Sequence, residues 1–481
     1  MPIKKMNPPT AREVSRRTFL RNAGLAAAAF TIVPRFVLGK GYVAPSDTLY
    51  VAGIGVGGKG TTDLVETAKS PNAKIAFLCD VDDRMAVESR KNFPDAKYYK
   101  DFRVMLDKEL KNIDAVTIST PDHTHAVAAL AAIERKKHVY CQKPLTYSIY
   151  EARTLTEAAR KYKVVTQMGN QFGSANHVRV MKEWYDAGLI GEVTSVSAWT
   201  NRPVWPQGLP GPTGKFDIPK ELDWDLWLGP ARQMDYNPAY LPFNWRGWWE
   251  FGTGALGDMG CHIFDAVFRI LPISSPSEVE CSTTTAWEGF FQEANYLESC
   301  PASSIIHLKY PRTDGKGIIK VTWMDGGLRP ERPDELLPDE PMSDENGGVI
   351  FEGTKGKMMG DYAIPPVLLP TSRMKEVTLP PPTLARVPEG HYVQWVNACL
   401  KGFGKAQLSS PFDYAGPLTE SVIMGNLAIR SYNIKTRSAD GRRTLYPGRK
   451  KLLWDAVNMK ITNFDEANAF VKRSYRAPWN L

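Results

Sequence analysis

Three features that would identify common classes of protein are missing from this sequence of 481 residues. No apolar run approaches the roughly 18 consecutive residues that a membrane-spanning helix requires. Six cysteines stand at positions 79, 141, 261, 281, 300 and 399, and no two form a C-x-x-C pair, which argues against a zinc ribbon or a redox dithiol. Buried free thiols are the favoured interpretation, although Cys281 and Cys300 could form a disulfide in an oxidising compartment.

The body of the chain also lacks a basic surface, because the net charge of +8 is concentrated at the N-terminus. Residues 1–46 carry eight lysines and arginines against one acidic residue, Glu13, which leaves +1 for the remainder. A body so nearly neutral argues against nucleic-acid binding. The chain has 43% hydrophobic and 23% charged residues, which is typical of a globular protein, and its length predicts two domains.

A twin arginine marks the N-terminal segment. The stretch SRRTFL, residues 15–20, precedes a short apolar segment from Ala23 to Val33. An arginine pair, a weak apolar run and basic flanks are typical of a Tat signal. The Tat pathway exports proteins that are already folded. We therefore expect residues 1–46 to be a Tat leader and the protein to be periplasmic or otherwise exported. The alternative is an amphipathic N-terminal helix that stays on the protein.

A glycine-rich turn follows a short apolar strand, residues 49–52. Gly53, Gly55 and Gly58 have the G-x-G-x-x-G spacing, in which the glycines permit a tight turn, close approach to a pyrophosphate and close packing of the next helix. Asp80 ends a second apolar strand 22 residues after Gly58. Its carboxylate would accept hydrogen bonds from the adenosine ribose and repel a 2′-phosphate, so the sequence predicts NAD as cofactor, with NADP less favoured.

Strands and helices then alternate as far as residue 172. Helices are predicted at 82–93, 126–135 and 148–162, and strands at 113–120, 137–144 and 163–169. This alternation predicts an α/β fold with a doubly wound parallel sheet, a Rossmann domain over residues 47–172, whose site lies at the carboxyl ends of the strands.

The stretch STPDHTHAVAALAAIERKKHVYCQKP, residues 119–144, resembles the glucose–fructose oxidoreductase and inositol dehydrogenase family (Gfo/Idh/MocA). That family shows T-P-N-x-x-H and then E-K-P, whereas this chain has Asp122 for the asparagine and Gln142 for the glutamate. Because the glutamate charge is lost, we expect Lys143 to be held less strongly as an ammonium. The resemblance assigns to the cofactor site Thr120, Pro121, His125, Gln142 and Lys143.

For residues 173–481 the resemblance implies an α+β domain with a large, mostly antiparallel sheet. The sheet is expected to form the contact of a homo-oligomer, a dimer or tetramer, and the C-terminal helices could pack back on the Rossmann domain. A return strand is predicted at 351–362. Asp258 and His262 lie one turn apart on one face of a predicted helix, which resembles the family's catalytic D-x-x-x-H.

Lys143, Asp258 and His262 form the predicted catalytic set. Oxidising a hydroxyl requires a base for its proton while hydride leaves carbon, and a histidine suits that role. Lys143 would stabilise negative charge on the reacting oxygen, and Asp258 would orient a hydroxyl or the imidazole. This chemistry needs no metal, so none is predicted. A zinc site is the alternative, with candidate ligands Asp258, His262, Asp265, His123 and His125.

Seven of the thirteen tryptophans fall between residues 199 and 249, and flat apolar faces suit the C–H faces of pyranose rings. We predict a sugar or glycoside substrate that contacts Asn170, Gln171, Trp245 and Arg246. The predicted function is an exported NAD-dependent oxidoreductase. One alternative is a glycosidase that oxidises C3 transiently and eliminates the aglycone, and a second is a non-catalytic sugar-binding protein that keeps NAD as a structural support.

Overall fold

A parallel sheet of six strands forms the first half of the computed structural model, which describes residues 47–481. The predicted leader, residues 1–46, lies outside the described residues. The strands lie in the order β3-β2-β1-β4-β5-β6. The elements are β1 (Leu49–Ile54), α1 (Lys59–Ala68), β2 (Ala73–Cys79), α2 (Val87–Asn92), β3 (Lys97–Tyr99), α3 (Phe102–Lys108), β4 (Ala115–Ile118), α4 (Asp122–Glu134), β5 (His138–Gln142), α5 (Ile149–Tyr162) and β6 (Thr166–Gly169). The predicted Rossmann sheet is confirmed, and its central strands are apolar throughout because helices cover both faces.

Two helices begin at positions other than those predicted. Helix α2 begins at Val87 rather than at 82, because the Asp82 side chain accepts hydrogen bonds from the backbone and guanidinium of Arg84 and holds a local turn. Helix α4 begins at Asp122, four residues earlier than predicted, directly after the extended Pro121. The start of α4 therefore lies at the carboxyl end of β4.

A mixed sheet of nine strands dominates the second half, in the order β15-β14-β13-β7-β12-β11-β8-β18-β19. Only β7 and β12 pair in parallel among its described strands, so the predicted, mostly antiparallel sheet is confirmed. The elements are α6 (Asn176–Asp186), β7 (Val193–Thr200), α7 (Trp224–Leu228), α8 (Gly254–Ile270), β8 (Glu278–Thr283), β9 (Trp287–Gly289), β10 (Gln292–Glu293), β11 (Ser304–Pro311), β12 (Ile318–Met324), β13 (Gly347–Gly353), β14 (Gly356–Gly360), β15 (Val367–Leu369), α9 (Arg373–Glu376), α10 (Gly390–Lys401), α11 (Phe412–Tyr432), β16 (Thr436–Arg437), β17 (Thr444–Leu445), β18 (Leu452–Asp455) and β19 (Lys460–Ile461). The single return strand predicted at 351–362 is wrong, because the chain reverses at Thr354 and Lys355 and forms the hairpin of β13 and β14.

Helix α8 carries the predicted Asp258 and His262 through the interior of the molecule. Nearly every residue of the helix is buried, and it contacts β7, α6 and α11. The carboxylates of this buried helix are held by partners within the protein, Lys143 for Asp258 and Arg269 for Asp265. Its two polar site residues are therefore held on a rigid element.

Helix α10 packs against the first half of the chain. Tyr392, Trp395 and Val396 join one apolar cluster with Val51 of β1 and Tyr140 of β5. All six cysteines are free, so Cys281 and Cys300 form no disulfide. No described helix is long and apolar enough to cross a membrane.

Candidate active site

A cavity of about 780 Å³ lies where the carboxyl ends of the Rossmann strands meet the second half of the chain. Predicted site residues from both halves line it together: Gly55, Gly58, Asp80, Thr120, Pro121, His125, Gln142, Lys143, Gln171, Trp245, Arg246, Asp258 and His262. The wall also contains Trp227, Phe243 and Trp479, which were not predicted. Such a cleft, with polar groups from several elements, is a typical small-molecule site.

The glycine loop is built differently from the prediction at two of its positions. Gly53 lies within β1 and does not line the cavity; a Cβ there would lie 2.9 Å from Val56 Cγ1, so its role is packing. Gly58, with φ of +52°, has nothing within 4 Å of an added Cβ, so it provides the backbone conformation rather than close packing. The close approach occurs at Gly60, where a Cβ would lie 2.0 Å from the Gly55 carbonyl oxygen. The open space at Gly58 precedes the first residue of α1, where free N–H groups favour an anion.

Asp80 lies against this loop at the end of β2. One carboxylate oxygen accepts hydrogen bonds from the backbone N–H groups of Val56 (2.9 Å) and Gly57 (3.2 Å), and the other accepts from the Asp82 N–H (3.0 Å). Burial raises the pKa of Asp80 to about 6, although these hydrogen bonds act in the opposite direction. The predicted ribose-binding carboxylate therefore lies beside the predicted phosphate-binding loop.

Lys143 and Asp258 form an ion pair in the cavity. The Lys143 ammonium donates to an Asp258 carboxylate oxygen at 2.7 Å and to the Asp258 carbonyl at 2.9 Å. Arg246 Nε lies 3.4 Å from the same carboxylate oxygen. Burial would raise the pKa of Asp258, but the two neighbouring cations lower it to about 2. Asp258 thus holds the ammonium, and this partner is present even though Gln142 has no charge.

His262 lies one turn further along α8. Its ring packs between Phe172 and Tyr362, at centroid distances of 5.8 and 5.5 Å, and its Nδ1 is buried with no hydrogen-bond partner among the described residues. Burial, assisted by the positive charge of Lys143, lowers the pKa of His262 to about 3. The imidazole is therefore neutral at ordinary pH and free to accept a proton. Asp258 makes no hydrogen bond to the imidazole within residues 47–481, so of its two predicted roles the structure does not form the contact that would orient the ring.

Asp63 is a site residue that sequence reasoning missed. Its buried carboxylate accepts hydrogen bonds from Ser119 Oγ (2.7 Å), Gln142 Nε2 (2.8 Å) and Tyr392 Oη (2.6 Å), and pairs with Lys59 Nζ at 2.7 Å. A glutamate at position 142 would place a second carboxylate against Asp63, whereas glutamine donates a hydrogen bond. Glutamine in place of the glutamate of E-K-P is therefore the residue that suits a neighbouring Asp63.

The T-P-D-H-T-H segment has mainly structural contacts. Both ring nitrogens of His125 lie within 2.9 Å of carbonyl oxygens, those of Pro144 and Thr120, so this side chain fixes two strand ends at the cavity. Burial lowers the pKa of His125. His123 points elsewhere and contacts the Trp227 carbonyl at 3.0 Å. In the described part of the chain, no three metal-ligating side chains lie close enough together to hold a metal ion. The candidate zinc ligands therefore do not form a site there.

The predicted substrate residues separate into two groups. Gln171 lines the cavity and donates to the hydroxyls of Tyr140 and Tyr392, and Arg246 stacks on Trp245 at 4.2 Å. Asn170 is a correction: it is fully buried, donates to Asp265 at 3.0 Å and does not line the cavity. Its role is to fix the start of the turn that follows β6.

Comparisons with known proteins match both halves of the chain to one family of oxidoreductases. Residues 49–170 match the model of an oxidoreductase family with an NAD-binding Rossmann fold, Gfo/Idh/MocA, and residues 177–291 match that family's C-terminal alpha/beta domain. A levoglucosan dehydrogenase of Pseudarthrobacter phenanthrenivorans is 26% identical over 189 residues, 39% of this chain and 40% of that protein. A myo-inositol 2-dehydrogenase of Thermotoga maritima is 27% identical over 29% of this chain and 41% of its own length.

Some relatives are named as glycosyl hydrolases rather than dehydrogenases. A Shewanella protein named as glycosyl hydrolase family 109 is 25% identical over 49% of this chain and 51% of its own length. The matched regions span about two fifths to one half of these curated relatives. The fold resembles a solved levoglucosan dehydrogenase in complex with NADH and L-sorbose, with a TM-score of 0.53 and 16% identity over 80% of this chain and 98% of that one.

Proposed function

We propose that this chain, which two models of the Gfo/Idh/MocA oxidoreductase family match over residues 49–170 and 177–291, transfers hydride between NAD and a sugar or glycoside carbon that bears a hydroxyl or keto oxygen. One observation carries the proposal: a neutral histidine, His262, and an ion-paired lysine, Lys143, line the same cavity as the glycine loop and Asp80. A base and a hydrogen-bond donor at one reacting oxygen are what hydroxyl oxidation requires.

The residues present fit NAD. The open backbone at Gly58 and the first turn of α1 would hold the diphosphate, and the Asp80 carboxylate would hold the adenosine ribose. When bound, NAD supplies the hydride acceptor. The remaining steps belong to side chains of this chain.

In the direction of oxidation, His262 takes the hydroxyl proton while the Lys143 ammonium donates a hydrogen bond to the same oxygen. Asp258 keeps the ammonium in place through the 2.7 Å contact. The imidazolium that forms is disfavoured by burial and by Lys143, so it returns the proton readily in the direction of reduction. Trp227 and Trp245, although largely buried, contribute apolar surface to the cavity wall, which suits the apolar side of a sugar ring.

Two measurements on purified protein test the function. Mass spectrometry identifies the bound nucleotide, and near-ultraviolet absorbance then follows NADH on addition of candidate sugars and glycosides. Net NADH formation supports the dehydrogenase. Release of an aglycone without net NADH supports the glycosidase instead. The glycosidase is the second candidate because some relatives are named as glycosyl hydrolases. Binding of sugar with neither signal supports the non-catalytic alternative.

Asp80→Ala is expected to weaken NAD binding and to narrow the preference for NAD over NADP. A charged hydrogen-bond partner of this kind is worth about 1.5–3 kcal/mol. Because the pKa of Asp80 is raised to about 6, the wild-type preference should also narrow as pH falls below that value, where the protonated carboxyl no longer repels a 2′-phosphate. Titration of both dinucleotides at several pH values checks this, with Asp95→Ala as an exposed control. A wild-type protein that prefers NADP contradicts the assignment.

We further propose export through the Tat pathway, on the strength of Arg16 and Arg17 in the leader. Arg16→Lys together with Arg17→Lys is expected to retain the protein in the cytoplasm, because the pathway's receptor recognises the arginine pair rather than positive charge alone. Cell fractionation and immunoblotting measure the exported pool. Arg12→Lys, outside the pair, is the control. An exported pool that the double substitution leaves unchanged excludes the proposal.

A further inference from the structure

A second cavity, rich in arginine, is distinct from the cavity of about 780 Å³ at the candidate active site (the redox cavity). Its volume is about 600 Å³, and its wall contains Arg232, Arg430, Arg473, Arg476, Glu250, Tyr147, Phe470 and Tyr475. A smaller cavity of about 230 Å³ shares Arg232, Glu250 and Arg430. In the described part of the chain, neither wall shares a residue with the redox cavity. The wall of the larger cavity contains four guanidinium groups, and the question is which of them lack an acceptor within the protein.

Two of these arginines are occupied by contacts within the protein. Arg476 pairs with Asp225 at 2.5 Å and donates to the Gly229 carbonyl. Arg232 pairs with Glu298 at 2.9 Å and with Glu250 at 3.2 Å. These guanidinium groups therefore already have their acceptors.

Arg430 and Arg473 do not have comparable partners. Arg430 forms no ion pair within residues 47–481; it makes a 3.5 Å hydrogen bond to the Tyr147 hydroxyl and stacks on Phe470 at 4.3 Å. Arg473 has a side chain only 7% exposed; its closest ion-pair contact is Glu250 at 3.7 Å, and its Nη1 donates a long hydrogen bond of 3.4 Å to the His123 carbonyl. Its Nε is buried without a hydrogen-bond partner in the described residues.

The other carboxylate near Arg473 cannot satisfy it. Glu151 is fully buried and accepts from the Tyr475 hydroxyl at 2.9 Å and from the backbone N–H groups of Tyr147 and Ser148. No hydrogen bond joins Glu151 to Arg473 among the described contacts. The buried Nε of Arg473 has no acceptor among the described residues, which costs free energy, and an oxyanion would supply that acceptor.

We infer that this cavity is a second ligand site, which takes a small molecule carrying one oxyanion group, a carboxylate or a phosphate, against Arg430 and Arg473. The rings of Tyr147, Phe470 and Tyr475 provide apolar walls for the body of the ligand. The volume is in the range of ordinary small-molecule sites. This site is independent of the proposed hydride transfer.

Calorimetry and thermal melting of the protein saturated with NAD test the site with four probes: glucuronate, glucose 6-phosphate, inorganic phosphate and, as the neutral control, glucose. A ligand that binds the folded state raises the melting temperature. We expect the anionic probes to bind and glucose not to bind at this site. Binding of glucuronate alone identifies a carboxylate as the ligand group, and binding of glucose 6-phosphate or phosphate identifies a phosphate. A wild-type protein that binds none of the three anions overturns the inference without any variant. Glucose binding is assigned to the redox cavity when Arg430→Gln leaves it unchanged, and glucose binding that Arg430→Gln weakens as much as anion binding overturns the inference.

Arg430→Gln is expected to lower the affinity for the anion roughly tenfold to a hundredfold, because one charge-assisted contact is lost. The substitution leaves no carboxylate unpaired, since Arg430 has no ion pair among the described residues. Arg437→Gln, on an exposed strand, is the matched control. Lys143→Met should retain anion binding, which separates this site from the redox cavity. Unchanged affinity in Arg430→Gln, or loss of affinity in Lys143→Met, overturns the assignment.

Discussion

Lys143→Met should lower the single-turnover rate by about 10²–10⁴-fold while NAD still binds. Methionine keeps much of the length of the side chain but removes the donor to the oxygen that becomes negative in the transition state. It also removes the cation that lies 2.7 Å from Asp258 and leaves that carboxylate with Arg246 at 3.4 Å. The rate is to be measured with NAD saturating, so that a loss of cofactor affinity does not enter the result.

Lys108→Met serves as the control for this substitution, because Lys108 is exposed at the end of α3 and lies outside the cavity. The melting temperature of both variants shows whether the fold is intact. A Lys143→Met protein that turns over within about threefold of the parent contradicts a role at the reacting oxygen, since a lost donor of this kind costs far more.

His262→Ala should cause a loss of similar size, about 10²–10⁴-fold in the same assay, because it removes the proposed base for the hydroxyl proton. The double variant with Lys143→Met should lose less than the two single effects added together, since both groups serve one transition state. Because alanine also removes the ring between Phe172 and Tyr362, His262→Gln is the variant that keeps the site filled. If both histidine variants are nearly as active as the parent, His262 has a structural role and is not the base.

The pH dependence supplies an independent check on His262. A base acts in its neutral form, and burial lowers the pKa of this imidazole from 6.5 to about 3. Lowering the pH through 6.5 therefore leaves nearly all of the base unprotonated, and kcat/KM should show no histidine-type decline there. A sharp loss of rate centred near 6.5, absent in His262→Gln, would mean that the working histidine is hydrated and not buried as described.

The sequence was informative where local pattern determines structure. Apolar runs separated by helices predicted the parallel sheet, and the four-residue spacing of Asp258 and His262 on α8 predicted a shared helical face, since both patterns depend on neighbouring residues. The glycine spacing located the loop. It could not show that Gly60, rather than Gly58, makes the close contact, because that depends on where α1 begins.

The parts that could not be predicted involve residues far apart in the chain. Asp63 and Tyr392 are separated by 329 positions, and no spacing rule connects them. Asn170 and Gln171 are adjacent and chemically alike, yet the turn after β6 buries the first and leaves the second at the cavity. Sequence alone could not decide between them, since the choice depends on Asp265 in a distant helix.

Helix α10 limits how this architecture can be recombined. Although it lies more than 200 residues beyond the Rossmann strands, its Trp395 is fully buried against their helices, Tyr392 stacks on Tyr140 at 5.1 Å, and the Tyr392 hydroxyl reaches Asp63. A chimaera that kept residues 47–172 and took everything after them from a relative of different specificity would lose this covering and expose the apolar surface of α1 and β1 to water. Grafting a new substrate pocket onto residues 47–172 would therefore require retaining Gly390–Lys401 as well, so the unit that can be exchanged is discontinuous in sequence.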